Sequence, residues 1–232
     1  MSTTAPIQQA NTASSRKMLQ AMVGIGVLCA LLIVLTYEGT LSRIETNKAE
    51  ALERAIFKVL PGISQTAAYQ LNADQTFSPA TTESPADAII YAGFDENNQL
   101  VGMAIPASGQ GYADILRILY GYDLKQQAIV GMYVLESKET PGLGDKIEKD
   151  PAFLENFIAL DVSLTDDLQS LNNQVIPVKY GEKKNPWEVD GITGATISSR
   201  AIGDILGASS AQWVPLIYQQ QDAFKTTTTS TE

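Results

Sequence analysis

The hydrophobic pattern changes character along the chain. Met18–Tyr37, MLQAMVGIGVLCALLIVLTY, is uncharged, with Gln20 near one end. About 20 apolar residues in a helix cross a bilayer core, so this run predicts a membrane anchor. A buried core helix of that length would keep some polar face. A signal peptide has a shorter apolar region ending at a small-x-small site, whereas Tyr37 and Glu38 follow here. Thr46–Leu60 shows helical spacing and stops at Pro61-Gly62, which predicts a stalk helix continuing outward from the anchor. Asn72–Asp87, rich in Thr, Ser, Pro and Asp, reads as a loop. From Ala88 strand patterns dominate. AIIYAGF and LVGMAIP flank DENNQ as a hairpin, and QAIVGMYVLES is a further strand. Short helices are predicted near Tyr112–Leu119 and over Pro151–Ile158, the latter opened by Pro151. Gln174–Tyr180 reads as a strand and Ala201–Gln220 as a helix. Interspersed strands and helices without a repeat predict an α+β fold. The expected organisation is a disordered tail over 1–15, an anchor over 16–37, a stalk helix over 38–61, one domain over 62–221 and a second disordered tail over 222–232.

Charge adds direction. Arg16 and Lys17 are the only charges before Glu38, whereas Arg43 and Lys48 beyond the anchor are offset by Glu38 and Glu45. The positive-inside rule then keeps the N-terminus cytoplasmic and exports the domain. The net charge is −10, and an acidic domain repels phosphate backbones, so nucleic-acid binding is not expected. The chain has no His and one Cys, Cys29 within the anchor. That removes imidazole metal sites, His-dependent triads, an intrachain disulfide and four-Cys clusters. No catalytic or metal-ligating set is expected, and any redox role needs an organic cofactor.

Two stretches carry candidate chemistry. In VDGITGATISSRA, Val189–Ala201, the residues Ile197, Ala201, Ile202, Ile205 and Leu206 fall on one helical face, placing Thr196 at or beside an N-cap. On one reading Thr196 merely caps the helix. On the other, the free amides and positive end of the helix receive a phosphate, the small residues Gly191, Gly194 and Ala195 admit a bulky group, Thr196 offers its hydroxyl and Arg200 reaches a phosphate oxygen. The second stretch, ESKETPGLGDK, Glu136–Lys146, follows a strand, turns at Pro141-Gly142 and lacks the P-loop pattern.

Taken together, ETPGLG after a strand and DGITGATISS about fifty residues later resemble the FMN-binding domain shared by the G subunit of Rnf (Rsx) electron-transport complexes and the C subunit of sodium-translocating NADH:quinone reductases. The resemblance covers nearly the whole chain. The family's D-G-x-[ST]-G-A-T motif matches at Asp190, Gly191, Thr193, Gly194, Ala195 and Thr196. The short tail, the length and the ITGATISS wording point to the Rnf protein, with its quinone reductase counterpart as the close alternative. The resemblance implies FMN in phosphoester linkage to Thr196, attached by a flavin transferase that uses FAD and a divalent metal. It lays ETPGLG against the flavin ring, with Glu139, Thr140 and Leu143 as contacts, alongside Thr193, Gly194 and Ala195 of the motif. SGQGYADI, Ser108–Ile115, adds Tyr112, with Ala113-Asp114 where the family pattern has more glycine. The implied protein is an electron carrier rather than a stand-alone enzyme, working with other membrane subunits at a bacterial inner membrane, its domain periplasmic. A non-redox anchored ligand-binding domain is the contrasting reading.

Overall fold

The structure, a computed structural model, describes residues 15–81, 84–85 and 88–224. The chain divides into two units, Met1–Glu50 and Ala51–Glu232. Helix α1 (Ser15–Val59) is unbroken, so the predicted anchor and stalk are one helix. It is long and apolar enough to cross a membrane, and its apolar window buries nothing within the chain. The Thr36 and Thr40 hydroxyls donate to the carbonyls of Leu32 at 2.7 Å and Thr36 at 2.8 Å, so neither depends on water.

The second unit is built on a seven-stranded antiparallel sheet. Its strands are β1 (Gln65–Leu71), β2 (Phe77–Pro79), β3 (Ile89–Phe94), β4 (Leu100–Gln110), β5 (Ile115–Asp123), β6 (Ala128–Glu136) and β7 (Leu160–Asp161), in the order β2-β1-β3-β4-β5-β6-β7. The short helices α2 (Lys146–Lys149) and α3 (Pro151–Leu154) separate β6 from β7. A parallel pair, β8 (Ile176–Val178) and β9 (Glu188–Asp190), precedes the long helix α4 (Thr196–Gln219).

Alternation along the strands assigns the two faces. Met103, Ile105, Leu116, Ile118, Tyr120 and Tyr122 join one core cluster with Ile202, Ile205, Leu206, Val214 and Ile217 of α4. The intervening Ala104 and Leu119 join a second cluster with Ala55, Ile56 and Val59 of α1 and with Leu60. Burial of Ile56, Val59 and Leu60 contributes about 1.5–3 kcal/mol apiece. Close approach here needs glycine in the sheet: a Cβ on Gly121 would stand 2.0 Å from the Val59 carbonyl oxygen, and one on Gly131 2.7 Å from it. Burial also raises the phenol pKa of Tyr120 and Tyr122 well above the ordinary tyrosine value.

The predicted hairpin is β3–β4, closed by Asp95, whose Oδ1 accepts from the Asn97 and Gln99 amides at 2.8 Å each. Pro151 opens α3 as expected, with the Asp150 side chain capping the Ala152 and Phe153 amides. The expected helix near Tyr112–Leu119 is instead a tight turn followed by β5. ADILRILY fits helical spacing, but Leu116, Ile118, Tyr120 and Tyr122 also alternate, and nine residue pairs with β4, from Gln110↔Ile115 to Gly102↔Asp123, decide the matter. The loop expected over Asn72–Asp87 contains β2; Thr82, Glu83, Ala86 and Asp87 of that stretch lie outside the described residues. Strands β1, β7 and β9 have no counterpart in the sequence reading. Of the expected tails, residues 1–14 and 225–232 lie outside the described residues. Ser15 already opens α1, and Asp222–Phe224 belong to the folded domain, Phe224 packing against Tyr69 and Phe77 at ring-centroid distances of 5.0 and 4.9 Å.

Candidate functional site

Three segments far apart in sequence meet at one cleft of about 350 Å³, lined by Tyr112, Glu139, Thr140, Leu143, Gly144, Gly194, Ala195, Thr196, Ile197 and Ser198. That volume lies in the range of small-molecule sites. Another groove, of about 330 Å³ between α4 and the sheet, includes Arg117, Gln212 and Trp213. Size does not separate the two, so the chemistry of the walls must.

The first wall is the β4–β5 turn, closed by the Gly111 amide donating to the Asp114 carbonyl at 2.9 Å. It presents the Tyr112 side chain, 65% exposed. The second wall is ETPGLG. The Thr140 carbonyl accepts from the amides of Leu143 and Gly144 at 3.1 and 3.0 Å, and Gly142 takes a φ of +79°, the left-handed region natural to glycine. Asp145 secures the turn by accepting from the Gly142 amide at 2.7 Å and from Lys149 at 2.6 Å, and the Lys149 hydrogen bond holds its carboxyl below the usual carboxylate range. Leu143 is left exposed at the tip. Lys138 bridges the two walls through Asp114 at 2.5 Å, which likewise lowers the Asp114 pKa. As an exposed pair it adds little stability.

The third wall is the start of α4. Asn156, buried between α3 and β9, holds the motif's first residue by both backbone groups: its Oδ1 accepts from the Asp190 amide at 3.0 Å and its Nδ2 donates to the Asp190 carbonyl at 3.1 Å. The turn beyond closes where the Ala195 amide donates to the Ile192 carbonyl at 3.1 Å. Helix α4 then begins with Ala195 as N-cap, without any side-chain cap. First-turn amides of a helix lack internal partners and carry partial positive charge. Thr196 is therefore not the cap. It is the first helical residue, exposed, and its Oγ1 reaches the Ile192 carbonyl only at 3.5 Å.

The four hydroxyls of the stretch differ sharply. Ser199 is 1% exposed, accepting from the Ile192 amide at 3.1 Å and donating to the Thr196 carbonyl at 3.3 Å. Ser198 is 3% exposed and donates to Glu139 at 2.5 Å. Thr193 is exposed but does not line the cleft, and Thr196 is exposed and does.

Of the residues singled out in the sequence, the fold thus brings Tyr112, Glu139, Thr140, Leu143, Gly194, Ala195 and Thr196 to one cleft and leaves Thr193 at its outside. Arg200 is exposed and absent from the lining. Glu139 lines the cleft with little open surface. It is buried, 5% exposed, with its carboxylate engaged by the Tyr112 and Ala113 amides and by Ser198. Ile197, assigned to the core face by periodicity, is 56% exposed and lines the cleft. Sequence reasoning does not reach the contacts of Ser198 and Asn156; Ser198 is visible as a hydroxyl, while nothing local marks Asn156.

Tyr112, Leu143 and Ile197 thus offer exposed apolar surface beside uncapped helix amides and the weakly held hydroxyl of Thr196. Such an arrangement suits a flat apolar group carrying an anion. Comparison with known proteins gives this combination a family. Residues 111–209 match the FMN-binding domain. The G subunit of the ion-translocating oxidoreductase complex of Methanosarcina acetivorans is 31% identical over 195 residues, covering 82% of this chain and 89% of that protein. The protein of the same name from Pseudoalteromonas atlantica is 27% identical over 180 residues, covering 76% and 77%. Among solved structures, NqrC of Shewanella oneidensis superposes with a TM-score of 0.57 at 19% identity, over 76% of this chain and 99% of that one. The C subunit of the Na(+)-translocating NADH-quinone reductase of Parabacteroides distasonis gives 0.58 at 19%, over 75% and 96%. Those two share the fold, whereas the sequence relatives carry the closer kinship. An α+β domain with the FMN-binding signature, behind a long apolar helix, places this chain in the family of the G subunits of ion-translocating oxidoreductase complexes.

Proposed function

We propose that this chain is the flavin-carrying member of an Rnf-type ion-translocating electron-transport complex, with FMN joined to Thr196 as a phosphoester. The carrying observation is the position of Thr196: its exposed hydroxyl opens an uncapped helix inside the cleft, while Ser198 and Ser199 are buried and engaged and Thr193 lies outside. Attachment by a flavin transferase would replace the Thr196 hydroxyl proton with the FMN phosphoryl group of FAD, releasing AMP. The amides of the first turn of α4 favour the phosphate that results. Tyr112, Leu143 and Ile197 offer apolar contact to the ring, and the exposed Gly194, with the small Ala195 beside it, leaves room for the tail. Bound FMN exchanges one or two electrons, while the chain contributes placement and electrostatics. Curated relatives that are G subunits favour the Rnf-type assignment over the quinone reductase one. In that complex 16–37 is the membrane anchor, 38–61 the stalk and 62–221 the periplasmic FMN domain, with a cytoplasmic N-terminus at the bacterial inner membrane and further membrane subunits as partners.

The test is intact mass and in-gel flavin fluorescence of the full-length protein, purified from membranes of cells with and without a flavin transferase. The expected mass gain is one FMN less one water, lost in Thr196→Ala and kept in Thr193→Ala. A flavin-bearing peptide linked through another hydroxyl overturns the attachment site. A chain that stays free of flavin beside an active transferase overturns the carrier reading and favours the non-redox domain.

A further inference from the structure

We propose that Glu139 is a positioning residue, joining the ring-side wall of the cleft to the attachment helix rather than touching the flavin; the proposal rests on the flavin reading above. Glu139 sits in the loop expected to lie against the ring, yet its side chain turns inward and is 5% exposed. Both carboxylate oxygens are occupied. Oε1 accepts from the Tyr112 amide at 2.8 Å and the Ala113 amide at 3.0 Å, and Oε2 accepts from the Ser198 hydroxyl at 2.5 Å. These partners lie 27, 26 and 59 residues away along the chain. One side chain therefore ties the β4–β5 turn, the ETPGLG loop and the first turn of α4 together.

The slot around the carboxylate is closed. A Cβ on Gly111 would stand 2.5 Å from Oε1, and one on Gly144 2.6 Å from Oε2. Glycine at both positions lets backbone press on the carboxylate from two sides, so Glu139 has no room to swing out. A charge out of water is tolerated where hydrogen bonds satisfy it, and here two amides and a hydroxyl do so.

The consequence is geometric. Tyr112 follows directly from an amide that Glu139 holds, and Thr196 lies two residues before the hydroxyl that Glu139 holds. A cofactor tethered by its phosphate keeps a flexible tail, so the separation of Tyr112 and Thr196 decides where its ring can rest. Glu139 fixes that separation while its carboxylate stays engaged within the protein.

Geometry and charge are separable by substitution. Gln at this position retains an oxygen that can accept from both amides and gains an NH2 that can donate to Ser198, while losing the charge. Ala removes the joint. Full-length Glu139→Ala, Glu139→Gln and the parent would be produced with a flavin transferase, and the rate of flavin attachment, visible circular dichroism and flavin fluorescence yield measured. Displacement of a reacting group by about 1 Å can cost on the order of 10²-fold in rate. Glu139→Ala is expected to slow attachment by up to that factor and to move the flavin spectrum towards free FMN, and Glu139→Gln to return both towards the parent. The proposal is overturned if Gln departs from the parent as far as Ala, which would mean that the charge acts directly, or if neither departs. If Glu139→Ala does not fold, Ser198→Ala takes its place: a departure in attachment rate or spectrum supports the joint, and parent-like behaviour overturns it. A flavinylated parent with indifferent variants sinks this proposal alone, whereas a flavin-free parent sinks the flavin reading with it.

Discussion

Gly144→Ala tests the packing of the cleft most directly. The new Cβ would lie 2.6 Å from Oε2 of Glu139, 2.8 Å from its Cβ and 3.1 Å from Oγ of Ser198. Carbon atoms meet comfortably at about 3.5–4.0 Å, so the contact with the Glu139 Cβ is about 0.7 Å too close. That atom is the root of the side chain, and the carboxylate beyond it is pinned by three hydrogen bonds, so rotation gives little relief. Overpacking of this kind costs about 1–3 kcal/mol. Loosening the Ser198–Glu139 bond, a buried hydrogen bond to a charge, costs about 1.5–3 kcal/mol more where it is fully lost. Partial relaxation of both gives about 3 kcal/mol. For a domain of this size each kcal/mol lowers Tm by roughly 2–4 °C, so Tm should fall by about 6–12 °C. Gly142→Ala is the comparison. No atom lies within 4 Å of its would-be Cβ, but its φ of +79° remains, and the left-handed region costs a residue with a Cβ roughly 1–2 kcal/mol. Thermal denaturation of the detergent-purified full-length variants, with flavin attachment measured alongside, reads both. Gly144→Ala should lose stability and slow attachment, and Gly142→Ala should lose about half as much stability. A Gly144→Ala protein that melts with the parent would refute the claim that Glu139 is tightly enclosed.

Burial holds the Tyr120 and Tyr122 phenols protonated above the usual tyrosine pKa of about 10, so the native state retains protons that the unfolded chain releases. Stability should be unaffected by these groups below about pH 10 and fall above it, with tyrosinate absorbance appearing together with loss of circular dichroism; ionisation of both phenols in a fully native protein would contradict this. For the proposed topology, a reporter active only outside the cytoplasm and fused after Glu232 should work, and activity of a cytoplasmic reporter there instead would reverse the orientation read from Arg16 and Lys17.

Local order was legible where a signal is carried by adjacent residues. The uncharged run of α1, its stop at Pro61-Gly62, the β3–β4 hairpin with its Asp95 turn and the helix behind DGITGAT each depend on periodicity or turn chemistry within a few residues. The sequence missed β1 because QTAAYQL has little strand preference of its own; it is a strand because β2 and β3 pair with it on either side. It misread β5 because Leu116 and Tyr120 fall at helical spacing while Leu116, Ile118 and Tyr120 also alternate, and only the partner strand distinguishes the two patterns.

For the site, the order of residues showed a hydroxyl-rich helix start around Thr196 and a Pro-Gly turn in ETPGLG, and the resemblance to the FMN-binding family singled out Thr196, the ETPGLG loop and Tyr112, while the lack of His called for an organic cofactor in any redox role. Tertiary structure decided what each does. Glu139 has the same composition and neighbours whether its carboxylate faces a ligand or the interior, and only the arrival of Tyr112, Ala113 and Ser198 from elsewhere in the chain turns it inward. Likewise residue chemistry by itself does not rank the hydroxyls at Thr193, Thr196, Ser198 and Ser199, whereas burial and hydrogen bonding leave Thr196 as the exposed one within the cleft. Periodicity is local and survives in the order of residues, whereas burial and hydrogen-bond partnership are set by segments that sequence separates and the fold alone brings together.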